Sequence, residues 1–543
     1  MQIPEAGELQ QTRRDSWRQT IWDRGQEIIT TPNVVGVIAC AALLFLLLVP
    51  PLPWNIRLPL YGAALVWTIL RPRTALYLMP LAVPWGSLDY IDVSALRLNS
   101  ADILVIFLAL GWLINCGLAA HTKLRDREAA HVPVYLIVAM LALVATMLLS
   151  MKVAINVKDS LKEISKWLEV LVILLLGSQY LRARRQVWTI IVLICIAGVT
   201  QAFYAYSQAY LSLGPTSFIR SDILRVYGTF GQPNPFAAYI NLPLSITLAL
   251  TLLGRGWLTR VLAGTATVAL ALAEYLSQSR GAEIALAAAL VFIVLAGMPA
   301  IRKLCRVLII PLLAFIAALL AGLVPQSLFN PALKFLGLTG ISLVEPNDAD
   351  FSTAERLAHW IAGLRMYFDH PILGVGIGNY PDAYPPYHIT KFLDPLGHAH
   401  NYYINVAAEM GTIGLIVYLF FLFAIYFAGM RILKRINNRY SRAKALPVQD
   451  QPPIQAPMGI HNKLSLLCRP FSLVRHYRQQ GTIETVGMLT NDRALAIGLI
   501  AALITVSVHN FVDDVYVHSL TNLIALLLIA LIRLERVTPD VQK

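Results

Sequence analysis

Two histidines and two arginines are the residues of this chain best suited to do chemistry together. His398 and His400 lie in Gly397-His398-Ala399-His400-Asn401, where a long polar segment ends and an apolar run begins, so the imidazoles sit where water meets hydrocarbon. Histidine is the side chain whose ordinary pKa lets it act as a base near neutral pH. If the chain is helical from 401 onward, Asn401, Asn405 and Glu409 recur at i, i+4 and i+8 and form a polar stripe. At membrane depth such a stripe usually faces a bundle interior or a cavity. Arg280 lies in Gln278-Ser279-Arg280-Gly281, almost the whole connection between two apolar runs. Arg225 opens the Gly- and Pro-punctuated stretch Arg225-Val226-Tyr227-Gly228-Thr229-Phe230-Gly231-Gln232-Pro233-Asn234-Pro235. Two planar guanidinium forks suit a diphosphate; the plainer reading makes them loop arginines touching lipid headgroups.

The 543 residues are 57% hydrophobic and only 14% charged, with a mean hydropathy of +0.62. That is too apolar for a soluble protein and indicates a polytopic membrane protein. The net charge of +13 then reflects topology and anionic headgroups, not nucleic acid, since no aromatic-basic module accompanies it. Cys40, Cys116, Cys195, Cys305 and Cys468 have no paired spacing, which argues against disulfides and thiol metal sites. The Arg-rich N-terminus precedes an apolar run without a small-residue cleavage site, and reads as an uncleaved first span.

Apolar runs fall at about 34–50, 57–70, 74–86, 101–119, 132–150, 165–181, 186–212, 236–253, 260–276, 282–299, 305–324, 401–429, 494–510 and 516–534. The expected fold is all-α, with about 12–14 transmembrane helices and a large extracytoplasmic loop. With the N-terminus inside, the basic clusters Arg71/Arg73, Lys123/Arg125/Arg127, Arg182/Arg184/Arg185, Arg255/Arg260, Arg302/Lys303/Arg306 and Arg533/Arg536 all fall inside. The expected organisation is a cytoplasmic segment 1–33, a bundle 34–324, an extracytoplasmic loop 325–400, a transmembrane helix 401–429, a basic cytoplasmic loop 430–493 and two last spans in 494–534, with both termini cytoplasmic.

Within the outer loop, Ser352-Thr353-Ala354-Glu355-Arg356 reads as a helix start, and Leu357, Trp360, Ile361, Leu364 and Met366 continue it over about 353–368. Gly374, Gly376 and Gly378 then suit a tight turn with close backbone approach. No strand precedes them, which excludes a dinucleotide-binding unit. Lys152, Lys158, Lys162 and Lys166 are adequately explained by snorkelling to lipid phosphate. His509, Asp513, Asp514 and His518 occupy another outer hairpin, where a metal site is one reading and helix capping with hairpin polarity the other.

Four stretches, in order, resemble the O-antigen ligase and Wzy polymerase superfamily: Arg225…Gly228-x-Phe230-x-x-Pro233-Asn234; Ser279-Arg280-Gly281; Arg356-x-x-x-Trp360…Pro371-x-x-Gly374-Val375-Gly376-x-Gly378; and His400-Asn401…Glu409-x-Gly411-x-x-Gly414. They span about 220–430. The resemblance implies a GT-C-like membrane enzyme of the bacterial inner membrane that moves a glycan from undecaprenyl diphosphate to an acceptor hydroxyl on the extracytoplasmic face, without a cofactor or required metal. It implies His400 as general base and Arg225 and Arg280 as the diphosphate-holding arginines, with Arg356, His398, Asn401 and Glu409 in support. The fourteen spans and the 430–493 loop depart from the ligases. Polymerase and ligase both fit, as does a glycan, lipid or protein acceptor. A transporter or flippase of lipid-linked glycans is the rival reading, against which stand the lack of visible repeat symmetry and the interfacial position of the polar residues. The enzyme reading requires His400, Arg225 and Arg280 to converge.

Overall fold

The computed structural model describes residues 53–86, 90–93, 96–119, 132–220, 223–303, 351–389, 391–445 and 469–537, with isolated positions between 304 and 350. The runs expected at 34–50 and 305–324 lie essentially outside the described residues. Each of the others corresponds to a helix: α1 (Trp54–Leu70), α2 (Arg73–Trp85), α3 (Ser100–Ala119), α4 (Val134–Ser150), α5 (Val157–Tyr180), α6 (Arg184–Leu211), α7 (Pro233–Leu253), α8 (Trp257–Ser277), α9 (Arg280–Gly297), α12 (Tyr402–Ala445), α13 (Arg469–His509) and α14 (Leu520–Val537). Between α9 and α12 lie α10 (Phe351–Asp369) and the short α11 (Tyr380–Ala383). Two short antiparallel hairpins, β1–β2 (Tyr90–Val93, Leu96–Asn99) and β3–β4 (Ile219–Arg220, Ile223–Leu224), connect helices.

Six described helices are long and apolar enough to cross a membrane: α4, α6, α7, α9, α12 and the 486–509 part of α13. This is an all-α polytopic membrane protein. Large apolar side chains such as Val261, Val268, Leu272, Val291 and Phe423 remain exposed on the bundle surface, as expected where the solvent is lipid. Helix α2, thirteen residues long, extends about 20 Å and is too short to cross alone.

Local chemistry sets the helix ends. Asn156 caps α5 by accepting Lys158 N–H, and α7 opens with proline in its first turn, where the missing N–H is not needed. Inside α7, Pro243 lacks the N–H that would bond Tyr239 O, and one turn on the Thr247 hydroxyl donates to Pro243 O at 3.0 Å. Helix α12 breaks at Gly411, whose φ is 64°. Helices α12 and α13 both run into the segment expected as the basic loop 430–493, ending at Ala445 and starting at Arg469.

The connections gather at two ends of the bundle. At one end Asn99 bonds Ser519, Ser150 Oγ donates to Glu409 O at 2.7 Å, Asn379 bonds Asn156 and Arg225 Nε donates to Ser277 O at 3.0 Å. At the other, Arg73 donates to Tyr180 O at 3.1 Å, Arg184 pairs with Asp492 at 2.7 Å, Arg493 donates to Gly297 O at 3.2 Å, and Arg435 pairs with Glu535. The second end holds Arg73, Arg184, Arg435 and Arg493, which the positive-inside reading assigns to one side; the first holds His398, His400, Arg225 and α10.

Candidate functional site

Asp513, in the connection between α13 and α14, is the hub of the first end. Its Oδ1 lies 3.3 Å from His400 Nδ1 and 3.8 Å from His398 Nε2. Its Oδ2 accepts a hydrogen bond from Asn234 Nδ2 at 2.7 Å, and Asn234 Oδ1 accepts one from Arg225 at 3.3 Å. A continuous polar chain thus runs from Arg225 through Asn234 and Asp513 to His400. A carboxylate only accepts, so the His400 nitrogen facing it carries the proton. That leaves Nε2 with the lone pair, buried and without a hydrogen-bond partner among the described residues.

The turn that carries His400 is held from several directions. His400 itself has φ 50°, left-handed for a non-glycine residue, and Gly397 has φ 88°; such backbone persists only where its surroundings fix it. Trp360 Nε1 on α10 donates to His400 O at 3.0 Å, and Asn405 Oδ1 accepts Ala399 N–H at 3.1 Å. Asn401 caps α12 by accepting the N–H groups of Tyr403 and Ile404. Tyr402 N–H donates to Asn510 O at 2.8 Å, which docks the Asp513 hairpin on the histidine turn.

The glycine run packs on the broken first part of α12. Gly374, Gly376 and Gly378 all have positive φ. Val375 N–H and Gly376 N–H donate to Ala408 O and Glu409 O at 2.9 and 3.0 Å, and a Cβ on Gly374 would collide with the Glu409 backbone. Buried Glu409 accepts Tyr380 N–H at 3.0 Å through its carboxylate. Of the polar stripe, Asn405 and Glu409 therefore hold loops, and Asn401 holds the helix end.

Arg280 begins α9 and is exposed. A Cβ on its neighbour Gly281 would lie 2.6 Å from Val512 Cγ2, so Arg280 emerges beside the Asp513 hairpin. Half-buried Arg356 on α10 has a buried Nε without a partner among the described residues and acts electrostatically on Asp513 and His398. Burial would raise the Asp513 carboxyl, but the His400 hydrogen bond and electrostatic interaction with His400, His398 and Arg356 hold it well below the usual range. Burial lowers the His398 pKa to about 4 against the opposing pull of Asp513, and lowers that of His359, on α10, to about 4 as well. Asp514 is pushed up to about 7, chiefly by burial, despite Lys166.

His398, His400 and Asp513 offer ligand atoms within 4.8 Å of one another, the geometry of a small metal site. The tautomers favour a different use. His398 Nδ1 accepts His400 N–H at 3.0 Å, so in the neutral ring Nε2, which faces Asp513, carries the proton. A metal there would require that proton to move to Nδ1, against the backbone N–H. The donor set fits a carboxylate collecting imidazole N–H groups better than a bound cation.

Of the residues singled out by sequence, the structure brings Arg225, His398 and His400 into one network, sets Arg280 and Arg356 beside it, and uses Asn401 and Glu409 in the scaffold. Sequence reasoning left Asn234 without a role, although it stands in the Pro233-Asn234-Pro235 stretch, and read Asp513 as a metal or hairpin residue. It missed His359, buried among the apolar positions of α10.

No curated protein matches this chain. Residues 265–419, from within α8 through α9, α10 and α11 into α12, match the family model Wzy_C, O-Antigen ligase. This segment, which carries Arg280, Arg356, His398 and His400, is where the chain is similar to the O-antigen ligase family.

Proposed function

We propose that the chain is an extracytoplasmic glycosyltransferase that moves a glycan from undecaprenyl diphosphate to an acceptor hydroxyl, as an O-antigen or exopolysaccharide polymerase or ligase. The hydroxyl donates its proton to His400 Nε2 as its oxygen attacks the anomeric carbon. The bond from that carbon to the diphosphate oxygen breaks, and its electron pair leaves with the lipid diphosphate. Asp513 fixes the base tautomer and stabilises the imidazolium that forms. Arg225 and Arg280 neutralise charge growing on the leaving diphosphate. With one base opposite the leaving group, the anomeric centre inverts.

The observation that carries this reading is the buried, unpartnered Nε2 of His400, whose Nδ1 faces Asp513 and is joined through Asn234 to Arg225. In this reading the site faces the extracytoplasmic side of the inner membrane and both termini are cytoplasmic, which the spacing of basic clusters along the sequence supports. In membranes supplied with undecaprenyl-diphosphate glycan, Arg280→Ala should abolish product while protein abundance is unchanged; normal product in that variant would remove Arg280 from the mechanism.

A further inference from the structure

His359 takes no part in the mechanism above, yet it is fully buried, with its ring centre 5.4 Å from that of His400 in an edge-to-face arrangement. Its other neighbours fix which nitrogen is bare. The ring stacks on Tyr384 at 4.9 Å. The Tyr380 hydroxyl has one proton, which it gives to His359 O at 3.0 Å. The 3.1 Å contact between that hydroxyl oxygen and His359 Nδ1 is therefore carried by a ring N–H. His359 Nε2 is left as a lone pair, buried and without a hydrogen-bond partner among the described residues, like Nε2 of His400. Two buried acceptor nitrogens without partners, on rings in edge-to-face contact, each call for a donor. Burial also lowers the His359 pKa to about 4, so near neutral pH the ring remains an acceptor.

We infer that His359 Nε2 accepts a hydrogen bond from the hydroxyl adjacent to the one that His400 deprotonates, so that the site selects an acceptor bearing two neighbouring hydroxyls, as on a sugar ring. This rests on the transferase reading and deepens it. His359 takes no proton; it orients the acceptor and sets its class. An acceptor with one isolated hydroxyl, such as a serine side chain, leaves Nε2 unpaired, and sites of this kind discriminate strongly against partners that lack the second donor.

The test is nitrogen NMR of the full-length protein, labelled at histidine, in detergent micelles near neutral pH. The free protein should show His359 protonated at Nδ1 and bare at Nε2. Titration with trans-1,2-cyclohexanediol should shift His359 Nε2, whereas cyclohexanol should shift only His400 Nε2. In His359→Phe, which keeps the stacking but removes the nitrogen, diol affinity read at His400 should fall about 3- to 10-fold, to that of cyclohexanol, the loss expected for one hydrogen bond. A His359 protonated at Nε2, equal responses to the two compounds, no response to the diol, or an unchanged diol affinity in His359→Phe would each overturn the inference. Full transfer activity in His400→Gln would instead overturn the transferase reading and leave the diol titration to be judged by itself.

Discussion

Asn234 donates to Asp513 Oδ2 at 2.7 Å, and through this bond the start of α7 and the α13–α14 connection act on one imidazole. The same amide accepts from Arg225, so Asn234 couples the proposed diphosphate site to the proposed base. Asn234→Leu keeps the branched side-chain shape but removes both bonds. Glycan transfer in membranes should fall about 10-fold or more, with a raised KM for the lipid-linked donor as well as a lowered kcat. A change in kcat alone would separate Arg225 from the network.

Asp513→Asn probes the tautomer. An amide at this position can present its N–H to His400 Nδ1 and draw the ring proton onto Nε2, the nitrogen required as base. Transfer should drop by about 10²-fold or more, the usual weight of a positioned acid–base group, while the variant accumulates normally. Retention of most activity would show that Asp513 only shapes its hairpin.

Gly374→Ala tests the close approach of the glycine run to α12. The position has φ 68°, and the added Cβ would meet the Ala408 and Glu409 backbone, which cannot yield as a flexible side chain can. A destabilisation of about 2 kcal/mol or more is expected, read as a lower melting temperature in detergent. Gly264→Ala is the control: its Cβ meets nothing nearer than 3.6 Å, and the melting temperature should be nearly unchanged. Equal effects at the two sites would contradict the packing account.

Buried neutral histidines set the acid stability of this end. His359 and His398 have native pKa values near 4 against 6.5 for an ordinary imidazole. Between those values the unfolded chain binds protons that the native state does not, so stability falls as pH drops from about 6.5 to about 4. Asp514, raised from 3.8 to about 7, works in the opposite sense: it favours the native state at the acid side and loses that contribution as pH rises through the same range. The His359 share can be isolated: relative to the native chain, His359→Phe should lose one contribution that makes the melting temperature fall from pH 6.5 to pH 4.5, so its pH dependence should shift toward greater acid stability. An unaltered slope in that variant would mean that His359 is already protonated in the native state.

Much of this architecture is legible in the sequence, because lipid-crossing helices announce themselves by apolar length. Helix α10 was expected at 353–368 from its Ser-Thr start and apolar spacing and spans Phe351–Asp369. The alternating glycines were expected to permit close backbone approach, and they pack on α12. Asp513 was hidden for a different reason: it stands 113 residues from His400, and nothing local separates a hairpin carboxylate from one that orients a base. Its own hairpin also uses it, since Asp513 Oδ1 accepts Asp514 N–H at 2.9 Å. His359 escaped notice because it falls among the apolar positions of an amphipathic helix, where a histidine reads as core. Only the meeting of α10, the histidine turn and the α13–α14 connection gives these residues a shared site.

The most direct measurement is product formation by His400→Ala in membranes supplied with undecaprenyl-diphosphate glycan, with variant and native chain present at equal abundance. The proposed mechanism predicts loss of transfer to the background of membranes lacking the protein, with the lipid-linked glycan left unconsumed. Transfer at the native rate would contradict it, because no other described histidine has its outward nitrogen set as a base by Asp513.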